Sequence, residues 1–169
     1  MTMQTDVLAG TLIESGFIYK QRTRVKGVSV KGDGTNPGVL DIFDTVTAPV
    51  TATYARAGYV VTVTKNAHGL RTGDTIGISF AADSGTAATD GNYTVTKLTD
   101  NTFTVTDINT GTVTAGTACT YASRWIMTFR IDAGDAYVNY WLIPGQGILA
   151  LNGLYLNVTD LNAASVFYG

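Results

Sequence analysis

The side chains best suited to chemistry near neutral pH are few in this 169-residue chain: one histidine, His68, and one cysteine, Cys119. An imidazole and a thiol can build a nucleophile–base pair or contribute to a zinc site. The two stand 51 positions apart, and neither has a second ligand at metal-binding spacing, so no zinc site is expected. Any Ser-His or Cys-His system would have to use His68. That residue lies in Asn66-Ala-His-Gly-Leu70, just before Arg71-Thr-Gly-Asp74, which reads as a strand–turn–strand joint. No nucleophile stands in a recognisable elbow, so the expectation is a turn histidine whose ring bonds nearby backbone.

The acids are twelve Asp and one Glu, Glu14. A glycosidase needs two carboxylates across a cleft, and no pair is singled out by spacing. Asp132 and Asp135 flank Gly134, and Asp33 lies in another Gly-rich turn. Neither has the dense oxygen spacing of a calcium loop, and Asp in such turns is ordinary turn chemistry. Phosphate-loop and dinucleotide fingerprints are lacking. The expectation is a protein that is not an enzyme and holds no metal or cofactor.

Two groups of residues suit binding. Lys20, Arg22, Arg24 and Lys26 are four of only 11 basic residues, and alternation would put them on one strand face. Such a stripe is either a solvated, edge-protecting face or an electrostatic dock for an acidic partner surface. Nucleic acid is not expected, since no aromatics interleave the stripe and the chain carries a net charge of −2. Tyr137, Tyr140 and Trp141 could stack on sugar rings. Their apolar neighbours Leu142 and Ile143 favour packing in a core or a subunit interface.

The elements that must hold these residues are strands. Thr, Val, Tyr and Gly are abundant, and Glu occurs once; such a composition suits pleated, half-buried surfaces rather than exposed helix faces. Apolar residues make up 45% of the chain, enough for a core. A single cysteine excludes an internal disulfide framework. No apolar run is long enough for a membrane helix and the start does not read as a secretion signal, so synthesis in a cytosol and no membrane partner are expected.

Composition also divides the chain. Of 28 Thr, 21 lie between Thr45 and Ser123, whereas both Trp and 11 of the 17 aromatic residues lie outside that segment. The expected organisation is an outer β-sandwich or jelly-roll-like domain from residues 1–48 and 124–169. A small, Thr-rich, β-barrel-like domain at 49–123 is inserted into it and projects from it. In the outer part, Phe17, Tyr19 and Val25 are odd-numbered, but Val28 and Val30 are even-numbered. A period-2 strand keeps one parity, so a β-bulge near Gly27 is expected. Trp125, Met127, Phe129 and Ile131 alternate with polar residues and read as a half-buried strand. Tyr137 to Ile143 is apolar on both faces and reads as a central strand or one facing another subunit. In the insert, Tyr59, Val61 and Val63 alternate with Thr, as do Tyr93 with Val95 and Phe103 with Val105. Asp100-Asn101 is the expected hairpin turn.

Three segments carry a resemblance: Arg24-Val-Lys-Gly-Val-Ser-Val-Lys31, Ile143-Pro-Gly-Gln-Gly-Ile148 and Asn162-Ala-Ala-Ser-Val-Phe-Tyr-Gly169. In these the outer part, residues 7–48 and 124–169, resembles a family of small phage virion proteins common among phages of marine bacteria. The insert is similar to a small β module of phage structural proteins, and to the first catalytic-cysteine half-domain of ubiquitin-activating enzymes. That likeness rests on His68-Gly-Leu70, Gly73-Asp74, Gly91-Asn-Tyr-Thr-Val95 and Asn101-Thr-Phe-Thr-Val105. The resemblance implies a virion protein that decorates or cements the capsid, binds the major capsid protein or other virion proteins, and forms a homo-oligomer such as a trimer. A tail, nozzle or fibre component is the alternative it leaves open. A glycan-binding adhesion module is a further alternative, from the aromatics. The resemblance also implies that His68 belongs to a structural turn.

Overall fold

A computed structural model describes residues 7–81 and 85–169 and is all-β. The strands in chain order are β1 (Leu8–Leu12), β2 (Gly16–Tyr19), β3 (Thr23–Gly32), β4 (Gly38–Asp44), β5 (Val50–Thr64), β6 (Thr75–Phe80) and β7 (Gly91–Thr94). They continue with β8 (Thr96–Lys97), β9 (Thr102–Ala122), β10 (Trp125–Ile131), β11 (Val138–Leu142), β12 (Ile148–Ala150), β13 (Leu154–Thr159) and β14 (Leu161–Tyr168). The chain divides into two compact units. One runs to Ala48 and resumes at Thr128; the other is Pro49–Met127. The second junction falls within β10, a few residues beyond the exit at Ser123 read from composition.

The outer unit holds two antiparallel sheets. One has the order β1-β14-β3-β11, with β12 also paired to β3; the other has the order β10-β4-β13-β2. Val28, Val30, Ala164 and Val166 of the first sheet and Leu40, Ile42, Phe43, Leu154 and Leu156 of the second are buried. Aromatic pairs bridge the two sheets: Tyr19 with Tyr168, ring centroids 5.3 Å apart, and Phe129 with Trp141 at 4.6 Å. β4 lies between β10 and β13 and is buried on both faces.

The parity change in β3 has the expected cause. Gly27 pairs with Phe167, but the next partner, Tyr168, sits opposite Val25, so Lys26 is the extra residue of a bulge. On either side of it Val25, Val28 and Val30 all turn inward. The bulge also changes the partner on the other edge, since β11 pairs with β3 up to Gly27 and β12 begins opposite Val25.

The insert is built on a long ribbon of β5 and β9. Register shifts after Tyr54 and after Gly58 bend the ribbon, and Gly58 has a φ of 64° that suits glycine. β6 pairs with the far end of β9 and β8 with its start, so the ribbon folds over a core of Tyr54, Val61, Val63, Ile78, Phe80, Val95, Phe103 and Tyr121. The strands form an open sheet in the order β5-β9-β6-β7, not the barrel-like closure expected from sequence. The bend after Gly58 also turns Tyr59 outward, away from the core position its alternation suggested.

Candidate partner-binding surfaces

His68 is held from both sides of its ring. Nδ1 accepts the Leu70 N–H at 3.0 Å, and Nε2 lies 3.0 Å from the Thr99 carbonyl, so Nε2 carries the proton and donates. The ring also meets Phe103 edge-on at 5.2 Å. The imidazole therefore fastens the 66–70 turn to the turn before β9. Cys119 is buried in the insert core, and burial pushes its thiol up to about 12, far from the thiolate a nucleophile needs. Among the described residues no three His, Cys, Asp or Glu side chains are grouped as a metal site.

The basic stripe is divided by the fold. Residues 20–22 form a bend between β2 and β3, which belong to different sheets, so the four cations do not share one strand. The alternation that joined them ran across a chain reversal. Lys20 sits in the bend with Nζ 4.4 Å from the centre of the Phe17 ring. Arg24 donates to the Gly147 carbonyl at 3.4 Å and Lys26 to the Gln146 carbonyl at 3.0 Å, so both brace the 144–147 turn. Gly147 permits this approach, with a φ of 76° and no room for a Cβ against the Val25 carbonyl.

The fold nevertheless gathers these cations at one end of the sandwich. Arg22 and Arg24 line a cleft of about 350 Å³ with Leu8, Tyr19, Leu149 and Tyr168. Neither arginine forms an ion pair with a carboxylate among the described residues. Asp44, near the same end, is fully buried and turned inward, where it accepts the backbone N–H groups of Leu151, Asn152 and Gly153. The cleft thus offers two guanidinium groups, two aromatic rings and apolar walls, a set suited to a carboxylate-bearing protein segment.

The second surface is β11, an edge strand of its sheet, which excludes the central position, one of two readings of its apolarity on both faces. One face of β11 carries Val138, Tyr140 and Leu142, which are 64%, 52% and 73% exposed. Tyr137, just before the strand, is 81% exposed. Across the sheet these residues continue as Ser29, Ser165, Ala163 and Phe167, with Lys31 as the charged member. Trp141 faces the other way and packs on Phe129, and Tyr140 meets Phe167 edge-on at 5.6 Å. The three aromatics singled out by sequence therefore do not form one stacking platform.

No family model, curated protein or solved structure matches this chain.

The most heavily bonded charges went unnoticed in the sequence. Arg56 and Asp107 form an ion pair at 3.0 Å with both side chains fully buried in the insert. Arg56 also donates to the carbonyls of Gly58, Thr86, Ala87 and Asn109, while Asp107 accepts the N–H groups of Thr89 and Asn109. Burial opposes charge on Asp107, but those N–H donors and the guanidinium outweigh it and hold its carboxyl below the usual range. The signal was an arginine among small residues, Ala55-Arg-Ala-Gly58, inside an alternating strand. Its partner was fixed only by the β5–β9 register.

Proposed function

We propose that this chain is a non-enzymatic phage virion structural protein that decorates or cements the capsid by binding the major capsid protein. The observation that carries the reading is a pair of exposed surfaces on the outer sandwich. Two arginines that ion-pair with no carboxylate among the described residues line a cleft at one end, and an apolar, largely uncharged sheet face ends in an exposed edge strand. Exposed edges recruit further strands unless charge or proline protects them, and β11 carries neither. The resemblance of the 24–31, 143–148 and 162–169 segments to small virion proteins supports the same reading. So does the use of His68 and Cys119 in packing and turn bonding rather than in a cleft.

The glycan-binding alternative loses its best platform, because Trp141 is turned onto Phe129. Quantitative mass spectrometry of purified particles of the phage that encodes the chain tests the proposal. Hundreds of copies per particle are expected for a capsid decoration protein, and roughly six to eighteen for a tail, nozzle or fibre component. Particles that lack the protein would overturn the virion reading.

A further inference from the structure

The outer sandwich is electrically polar along its strands. β3 runs from Thr23 at the cleft end to Gly32 at the other, about 30 Å at the usual rise per residue. The cleft end carries Lys20, Arg22, Arg24 and Lys26. At the opposite end, β14 begins opposite Gly32, the β1–β2 turn is tied to β13 through Ser15 and Val158, and the backbone of Asp135 lies against Gly32. This end gathers Glu14, Asp33, Asp132, Asp135 and Asp160. Asp33 is held ionised by the backbone N–H groups of Thr35 and Asn36, and Asp135 by Asn139 and the Tyr137 N–H. Glu14, Asp132 and Asp160 are exposed. Lys31 and Arg130 are the basic residues near these turns, so acids prevail there.

We infer that copies of this chain associate head to tail, the arginine cleft of one outer sandwich receiving the acidic turn end of the next. The inference rests on the proposed virion role and names the partner of the cleft as a second copy. Charge complementarity selects that partner: Arg22 and Arg24 in the cleft ion-pair with no carboxylate among the described residues, and the same molecule presents a carboxylate-rich end. Such an interface is heterologous, so it closes into a ring where the rotation per copy allows, a trimer among the options. Exposed ion pairs are individually weak, so Leu8, Leu149, Tyr19 and Tyr168 supply the apolar contact while the charges set register and approach rate.

The test is sedimentation velocity of the full chain over a range of concentrations. It is run at about 10 mM salt, where the screening length is about 30 Å, and at about 1 M, where it is about 3 Å. The expected result is self-association at low salt that is lost at high salt. R22E/R24E and E14K/D132K should each weaken self-association at least about tenfold, and an equimolar mixture of the two should restore it by swapping the charges across one interface. Circular dichroism checks the fold, and should R22E/R24E unfold, R22Q/R24Q takes its place. A parent that stays monomeric, or a mixture of folded variants that does, overturns the inference. So does particle binding lost in R22E/R24E but retained in E14K/D132K, which would assign the cleft to a different acidic protein. A monomer that still occupies purified particles sinks only the head-to-tail contact, whereas particles without the protein sink the virion reading itself.

Discussion

Asp44 is a carboxylate in a strand that is buried on both faces. Burial alone would raise its pKa, but the N–H groups of Leu151, Asn152 and Gly153, at 2.9, 2.7 and 3.2 Å, override that and hold it below the ordinary value of 3.8. It closes the β12–β13 turn onto the end of β4, and the Gly153 carbonyl returns a bond to the Thr45 N–H at 3.2 Å. Asp41, three residues earlier in β4, ties the two neighbouring strands instead, accepting from Thr128 Oγ1 of β10 at 2.7 Å and Asn157 Nδ2 of β13 at 3.0 Å. A carboxyl whose folded pKa is depressed contributes stability above its unfolded pKa, near 3.9, and loses it as pH falls through the lower folded value. Asp44→Asn removes that contribution and leaves one amide oxygen for three donors. We expect it to cost about 1–3 kcal/mol at pH 7. The gap to the parent should shrink as pH falls from about 4 towards 2, read from urea unfolding midpoints across that range. A gap that stays constant with pH would mean that Asp44 acts through shape alone.

At the scale of elements, the sequence showed most of what local alternation and turn residues encode. The bulge beside Gly27, the β10 strand, the 100–101 hairpin and the inward set Val61, Val63, Phe103 and Val105 all follow from period-2 patterning. What it did not show depends on pairing across the chain. Nothing local says that β2 and β3 enter different sheets, so four alternating cations passed for one stripe. Nothing local says that β11 ends its sheet, because an apolar strand at an edge and one at a centre read alike. The Arg56–Asp107 pair was hidden for the same reason: its two halves meet only because β5 and β9 align across a bent ribbon. That pair pins the bend to the 86–89 segment through the Thr86 and Ala87 carbonyls and the Thr89 N–H, and binds Gly58 and Asn109 within the ribbon itself. Asp107→Ala leaves the Arg56 charge buried without its counterion and should destabilise the insert by about 3–5 kcal/mol. The double change Arg56→Met/Asp107→Leu should recover a large part of that loss, measured by chemical unfolding of all three variants. Equal losses in the single and double variants would mean that the backbone bonds of Arg56, rather than its charge pairing, hold the bend. For the edge, Val138→Lys with Leu142→Lys adds charge to side chains already in solvent. It should leave the unfolding midpoint within the range of about 0.5 kcal/mol usual for surface changes, while lowering light scattering on concentration.

For the whole molecule, the question is whether the Thr-rich unit is a passenger or a part of the sandwich that carries it. Its buried core is made of residues of the same unit, with edge-on ring contacts of Tyr54 with Phe80 at 4.8 Å, Phe80 with Tyr93 at 6.0 Å and Phe103 with Tyr121 at 5.8 Å. The outer sheets likewise pair only β1 to β4 and β10 to β14. The place to cut is set by β10. The compact unit ends at Met127, inside that strand, so a deletion of 49–127 would remove the first half of a strand that pairs with β4. A deletion of 49–123 keeps it whole. Replacing 49–123 by about eight Gly and Ser residues, a flexible span of roughly 16 Å root mean square, should leave a sandwich that unfolds cooperatively. Replacing 49–127 by the same linker should unfold at markedly lower urea concentration. If the shorter deletion instead gave a chain without a cooperative transition, the two cores would be one folding unit. If it folded and still bound particles, the anchoring surface would lie on the outer sandwich, where the arginine cleft and the apolar edge are found.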